Sequence, residues 1–81
     1  MSMMETSYQD IAYQQGVAQA ATAELANSSV SDLRSLRVDN NANELQLSGR
    51  VRSFYHKQLA QETVRLVAAG MQVVNRVDVS T

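Results

Sequence analysis

The chain of 81 residues contains no cysteine, no proline and no tryptophan, and it has only three glycines and one histidine. Without cysteine, thiol catalysis and thiolate metal sites are excluded. Three widely spaced glycines and one histidine cannot form a glycine-rich phosphate loop, a nucleophile elbow or a zinc motif. No apolar run approaches the roughly 20 residues that a membrane-spanning helix needs. The first residues, MSMMETSYQD, lack the basic start and apolar core of a signal peptide.

Charge is divided unevenly along the chain, although the net charge is only −1. Residues 1–32 carry four acidic and no basic side chains, whereas residues 33–81 carry all seven basic side chains and four acidic ones. The two parts therefore have net charges of −4 and +3. Ordinary solvated faces explain most divisions of this kind, and the alternative is a basic half that meets an anionic partner.

The clearest pattern lies in residues 44–79, which predict a strand, a helix and a second strand. Leu45, Leu47 and Val51 alternate with polar residues, as expected of a strand with one buried face. Gly49 interrupts this strand, and a glycine there indicates a close backbone approach. We expect Gly49 to let the following helix pack tightly over the sheet.

The predicted helix has signals at both ends. Ser53 is expected to be its N-cap, and residues 54–69 contain no glycine or proline. Gly70 stands where a left-handed C-terminal cap is expected, with Met71 folding back onto the last turn. The apolar face of this helix is predicted to consist of Tyr55, Leu59, Thr63 and Leu66.

The centre of the core is predicted from the apolar positions of these three elements. They are Leu47, Leu59, Leu66 and Val77. If this is correct, Leu66→Ala should lower the free energy of unfolding by about 2 to 5 kcal/mol.

The first part of the chain predicts a long helix. Thr6 and Gln9 match a capping box, and the helix they open can run to about Asn27. We expect residues 1–6 to be a frayed tail and residues 7–81 to form a single domain. The core face of this helix is predicted to contain Tyr8, Ile11, Ala18, Thr22, Leu25 and Ala26. The opposite side carries a narrower apolar stripe of Tyr13, Val17 and Ala20, which is either scattered surface or a self-association surface.

Between the long helix and the central unit, the sequence predicts one more strand. Leu36 and Val38 alternate with polar residues, and residues 40–43 suit a hairpin turn because asparagine tolerates left-handed geometry. The fold class is therefore α+β, in the order αββαβ, with two helices packed on one face of a three-stranded mixed sheet. Polar side chains are predicted on its open face, namely Arg37, Gln46, Ser48, Arg50, Arg76 and Asp78.

The sequence gives little support for a catalytic site or a nucleic-acid-binding site. His56 lies in the first turn of the second helix, and the sequence places no carboxylate beside it, so a boundary or capping role is expected. Glu44 and Glu62 lie on different elements, so paired acid and base chemistry is not indicated. The predicted open sheet face carries no aromatic residue, so we expect no nucleic-acid binding. We expect no enzyme activity, no cofactor and no metal.

Several residues of the central unit resemble the BON domain, a bacterial module with a strand ending in LSG and a later G-V-x-x-V-x-N motif. The matching residues are Leu47, Ser48, Gly49, Val51, Ser53, Ala60, Gly70, Val74, Asn75, Val77 and Val79. The structural motif residues are Gly49, Ser53, Gly70 and Asn75. Met71 departs from the usual valine, and Asn43 departs from the glycine that often closes the hairpin.

The resemblance implies a non-enzymatic binding module proposed to associate with phospholipid surfaces, with potassium binding known in one relative. It also implies an envelope or periplasmic location if this chain is part of a longer exported protein. If the chain is complete, the missing signal peptide predicts a cytoplasmic location instead. A protein-interaction or oligomerisation module of a larger assembly is the alternative function.

We predict that any contact with an anionic lipid surface uses the basic half of the chain, where a hairpin brings two segments together. The candidate lipid-binding residues are Arg34, Arg37, Arg50, Arg52 and Lys57. Binding is expected to be weak and salt-sensitive. No exposed apolar wedge is predicted.

Overall fold

The computed structural model describes residues 3–80, and it describes side chains from residue 13 onward. The elements in chain order are α1 (Met3–Ala26), α2 (Ser31–Arg34), β1 (Arg37–Asn41), β2 (Glu44–Ser48), β3 (Arg50–Val51), α3 (Phe54–Arg65), β4 (Gln72–Asn75) and β5 (Asp78–Val79). The predicted α+β class, with helices packed on a mixed three-stranded sheet, is confirmed. The short helix α2 and the two-residue strands β3 and β5, which form a separate parallel sheet, are additions to the predicted order.

β2 is the central strand of the three-stranded sheet, whose order is β1, β2, β4. β1 pairs with it antiparallel and β4 pairs with it parallel, since α3 carries the chain back to the same end. Asn41 lies opposite Glu44, so the hairpin turn contains only Ala42 and Asn43. The left-handed residue is Ala42, with φ 56°, rather than an asparagine as predicted. The Asn43 side chain instead accepts a hydrogen bond from Gln14 Nε2 on α1.

Gly49 separates β2 from β3 without changing the strand register. Glu44 pairs with Gln72 and Arg50 pairs with Asp78, so partner numbers differ by 28 on both sides of the glycine. Gly49 has a φ of +128°, and a Cβ atom there would lie 2.7 Å from Leu36 Cδ2. The close approach is therefore confirmed, but its neighbour is Leu36 just before β1, not the helix α3 as predicted.

The core consists of residues from every layer of the fold. Its buried members are Val17, Ala21, Leu25, Leu33, Leu36, Leu45, Leu47, Val51, Ala60, Val64, Ala68, Met71 and Val77. α3 turns the small side chains of Ala60 and Val64 inward, whereas α1 buries Val17, Ala21 and the larger Leu25. On α1 the predicted core face is wrong in detail, because Thr22 and Ala26 are exposed while Val17 and Ala21 are buried. The side chains of Tyr8 and Ile11 lie outside the described residues.

The predicted core face of α3 is also wrong. Leu66 is 85% exposed and Leu59 only partly buried, whereas Ala60 and Val64 are fully buried. α3 has two apolar stripes, and the stripe with smaller side chains is the one that fits between α1 and the sheet. The other two predicted members of the core centre, Leu47 and Val77, are buried as expected.

Helix boundaries differ from the predictions at two ends and agree at two, the end of α1 at Ala26 and the start of α3 at Phe54. α1 begins at Met3, so a cap at Thr6 is wrong; the preceding methionines and glutamate favour helix. Fraying of residues 1–6 remains an expectation, and residues 1 and 2 lie outside the described range. α3 begins after Ser53 as predicted but ends at Arg65.

After α3 the chain turns through two left-handed residues. Ala69 has φ 52° and Gly70 has φ 89°, so the predicted left-handed role of Gly70 is shared with the residue before it. Met71 then folds back, donating its backbone N–H to Ala68 O at 3.0 Å, and its side chain is buried. This turn directs the chain into β4.

Candidate functional site

The start of α3 presents two aromatic side chains to solvent. Ser53 is extended, and its Oγ accepts a hydrogen bond from the His56 backbone N–H at 3.2 Å, which fixes the first helical turn. Phe54 is 70% exposed and Tyr55 is 71% exposed. The expectation that no apolar wedge is exposed is therefore wrong, because the cap that starts the helix also turns this pair away from the core.

Asp32 on α2 holds the turn that precedes α3. Its Oδ2 accepts hydrogen bonds from the Arg52 backbone N–H at 2.8 Å and lies 3.2 Å from His56 Nδ1. Its Oδ1 lies 3.3 Å from Arg52 Nε. The Asp32 side chain is only 10% exposed, whereas the Arg52 side chain is 80% exposed. The cluster thus joins three segments and leaves most of one arginine in solvent.

The pKa of the Asp32 carboxyl lies below its usual range. The hydrogen bond from the Arg52 backbone N–H is the main cause. Partial burial raises the pKa, and this opposing effect is outweighed when the hydrogen bond from His56 and the charges of Arg52 and His56 are added. Asp32 is therefore ionised in the folded protein at neutral pH, and it stabilises the positive groups around it.

A pH-dependent contribution to stability follows from this lowered pKa. The contribution is fully present above the unfolded-state pKa of about 3.9 and is lost as pH falls through the lower folded-state value. We expect Asp32→Asn to melt at a lower temperature than the wild type at pH 7. The difference should shrink as pH falls from about 4 towards 2.

Thermal melts of both proteins across that pH range measure the effect. Asp39→Asn is the matched control, because Asp39 pairs with Arg37 at 3.1 Å on the exposed surface of β1, where ion pairs contribute little. A difference between the wild type and Asp32→Asn that stays constant down to pH 2 would contradict the proposed role of the carboxylate charge.

The Asp32 cluster has no signal in the sequence. Asp32 lies 20 residues before Arg52 and 24 before His56, and only the packing of α2 against α3 and β3 brings them together. The statement that no carboxylate lies near His56 is therefore wrong. The role predicted for His56 at the helix boundary agrees with its backbone contact to Ser53.

The five candidate lipid-binding residues lie on α2, β1, β3, α3 and the turn before α3. Arg34, Arg50 and Arg52 belong to α2, β3 and the following turn, which pack together at the start of α3. Arg34 Nη1 donates to Ser28 O at 3.0 Å. Arg37 lies on β1, where it pairs with Asp39, and Lys57 is partly buried on α3.

The stripe predicted for self-association is not a continuous exposed surface. Val17 is buried in the core, so its predicted place on the outer side of α1 is wrong. Ala20 is exposed. The Tyr13 hydroxyl donates to Ala69 O at 2.8 Å and thereby links α1 to the end of the α3 segment.

Asn75 has a structural role at the junction of β4 and β5. Its Nδ2 donates to Lys57 O at 2.9 Å and to Gln61 Oε1 at 3.3 Å. Its Oδ1 accepts from the Val77 backbone N–H at 3.1 Å. One side chain thus joins the helix to the strand and satisfies a backbone donor where the pairing of β4 ends.

The family follows from a comparison with family models. The model of the BON domain matches residues 14–81. The chain belongs to the BON domain family. BON domains are binding modules rather than a known catalytic family, and this BON domain is therefore a binding module in general terms. A comparison with curated proteins found no match.

Two further observations concern only the described residues of this BON domain. No helix in that part of the chain combines the length and the apolar character needed to cross a bilayer. Among residues 13–80, whose side chains are described, no three histidine, aspartate or glutamate side chains come together as metal ligands.

Proposed function

We propose that this BON domain associates weakly and reversibly with anionic phospholipid surfaces through the start of α3. The observation that supports the proposal most is the exposure of Phe54 and Tyr55 next to Arg52 and close to Arg50. We define the lipid-contact turn as these four residues. The lipid-contact turn combines apolar side chains with positive charge, whereas the site predicted from the sequence contained only basic residues.

The aromatic residues and the arginines of the lipid-contact turn suit different layers of a membrane surface. Aromatic side chains favour the boundary between headgroups and acyl chains. Arginine binds phosphate oxygens through its planar guanidinium group. Each basic side chain near an anionic surface contributes about 1 kcal/mol, and salt screens that attraction within roughly 8 to 10 Å. Two arginines and two aromatic rings therefore predict measurable binding at low salt that weakens at high salt.

Asp32 moderates the charge of the lipid-contact turn. Its carboxylate lies 3.3 Å from Arg52 Nε, so a headgroup phosphate must share this arginine with an internal partner. The same carboxylate fixes the turn through the Arg52 backbone N–H. This arrangement favours reversible binding over permanent attachment, because the arginine keeps an ionic partner when the lipid leaves.

Co-flotation with vesicles of phosphatidylcholine, with or without phosphatidylglycerol, tests the proposal. The wild type should float with the anionic vesicles at low salt and much less at high salt. Arg50→Glu combined with Arg52→Glu should abolish this binding. Phe54→Ser combined with Tyr55→Ser should weaken it at every salt concentration.

The charge-matched control is Arg37→Glu combined with Arg76→Glu, which changes net charge equally on the open sheet face. If this control loses binding as completely as the Arg50 and Arg52 variant, the attraction depends on net charge and the lipid-contact turn has no special part. If the wild type does not float with anionic vesicles at low salt, the proposed function is wrong.

A further inference from the structure

α3 carries an exposed row of apolar side chains that begins in the lipid-contact turn and continues along the helix. Tyr55, Leu59 and Leu66 lie within a sector of about 40° at 3.6 residues per turn. The exposed side chain of Glu62 lies at the edge of this sector, between Leu59 and Leu66. Leu66 keeps helical dihedral angles as the C-cap, φ −61° and ψ −26°, so it continues the same face. We call these three residues the outer row; it is about 16 Å long.

The fold explains only one residue of the outer row, because Leu59 packs against the core whereas Tyr55 and Leu66 are exposed. Ala60 and Val64 of α3 are buried in the core, and they lie about 140° around the helix axis from the outer row. Leu66 is 85% exposed and Tyr55 is 71% exposed, while Leu59 is partly buried at their base. Single exposed apolar residues are common on protein surfaces, but an ordered row on one helix face is typical of an interaction surface.

We propose that α3 lies along the membrane surface when this BON domain binds lipid, with the outer row at the boundary of headgroups and acyl chains. This inference rests on the proposed function and adds the orientation of the bound domain. The outer row includes Tyr55 of the lipid-contact turn, so both surfaces meet one bilayer at the same time. Amphipathic helices that lie in this plane insert their apolar face by about 5 to 10 Å.

The charges beside the outer row suit an anionic surface. Arg52 precedes its first residue, and Arg65 lies next to its last one. Arg65 Nη1 is 3.9 Å from Glu62 Oε2, and both side chains are more than half exposed. Such a surface ion pair contributes little, so Arg65 can exchange this partner for a headgroup phosphate. The exposed Glu62 carboxylate lies on the same face and opposes this attraction, so the net positive charge near the row comes from Arg52.

A tryptophan placed in the outer row reports its surroundings directly, because the chain contains no tryptophan of its own. With anionic phosphatidylglycerol vesicles, Leu66→Trp should show emission at shorter wavelength and protection from a water-soluble quencher. Gln72→Trp is the matched control, since Gln72 is exposed on β4 at a register position facing away from the helices. Its emission should not change.

Leu66→Ser measures how much the end of the row contributes. Partitioning into anionic vesicles should fall about five- to tenfold, the order expected for withdrawing much of a leucine side chain from apolar surroundings. The melting temperature should stay close to that of the wild type because Leu66 is exposed. This result and the tryptophan shift together would support the inference.

The experiments distinguish failure of the proposed orientation of α3 from failure of the proposed lipid binding. If Leu66→Ser binds as the wild type does while the lipid-contact turn variants still lose binding, the orientation is wrong and the proposed function stands. If Leu66→Trp shifts without vesicles as protein concentration rises, the row binds a second copy and the inference falls. If no variant or wild type binds vesicles, both proposals fail together.

Discussion

Leu47→Ala is expected to lower the free energy of unfolding by about 2 to 5 kcal/mol. Leu47 is fully buried in the core, on the central strand β2 between β1 and β4. Its removal therefore leaves a cavity that a small domain cannot readily fill. A loss of this size is a large fraction of the total stability expected for 81 residues.

The matched control for this substitution is Leu66→Ala, which makes the same chemical change at an exposed position. We expect it to alter the free energy of unfolding by less than about 0.5 kcal/mol. Urea unfolding followed by circular dichroism measures both variants. Equal losses for the two leucines, or a larger loss for Leu66, would show that α3 turns the outer row and not Ala60 and Val64 towards the core.

The contrast between these leucines shows what sequence analysis could not decide about α3. Both apolar stripes of α3 have helical periodicity, and the stripe with the larger side chains was predicted to be buried. The choice depends on the space left between α1 and the sheet, where Ala60 and Val64 fit closely. Such a fit is a property of three elements together, so the pattern of one helix does not contain it.

Local signals were more reliable than those that depend on distant parts of the chain. Ser53 caps α3 as predicted because the hydrogen bond joins residues three apart. Gly70 has the predicted positive φ because the turn after a helix imposes it. By contrast, Asp32 meets Arg52 and His56 only through tertiary packing, and no periodicity signals that contact.

The candidate site also has residues that local sequence indicates and residues whose exposure depends on tertiary packing. Arg50 and Arg52 could be chosen from the sequence because they lie near each other in the chain and follow a predicted strand. The exposure of Phe54 and Tyr55 could not, since aromatic residues at the start of an amphipathic helix are ordinarily expected to contact the core. Their position became clear only once the rotation of α3 about its axis was known.

Gly49→Ala is expected to lower the free energy of unfolding by about 2 to 4 kcal/mol, the sum of backbone strain and a steric clash. The φ of +128° is in the region that side chains with a Cβ rarely adopt. The added Cβ would also lie 2.7 Å from Leu36 Cδ2 and 3.5 Å from Leu36 Cα. The distance to Cα is an ordinary contact, so the clash is with the end of the Leu36 side chain, whose burial in the core limits how far it can move.

Substitutions at the other two glycines separate the cost of backbone strain from the cost of the steric clash. Gly70 has a φ of +89° and nothing within 4 Å of its Cβ position, so Gly70→Ala should cost only the strain, about 1 kcal/mol. Gly16 lies within α1 and is also free of neighbours, so Gly16→Ala should raise the free energy of unfolding by about 0.5 to 1 kcal/mol. Urea unfolding of the three variants should show the largest loss of stability for Gly49→Ala, a smaller loss for Gly70→Ala and a gain for Gly16→Ala.

The clash itself is tested by combining Gly49→Ala with Leu36→Ala in a double-mutant cycle. Leu36→Ala removes the Cδ2 atom that the new Cβ would meet, so the double variant should lose less stability than the sum of the single losses. Additive losses would mean that the cost at Gly49 is backbone strain alone. In that case the glycine would be needed for its φ, and its close packing against Leu36 would not constrain the bend between β2 and β3.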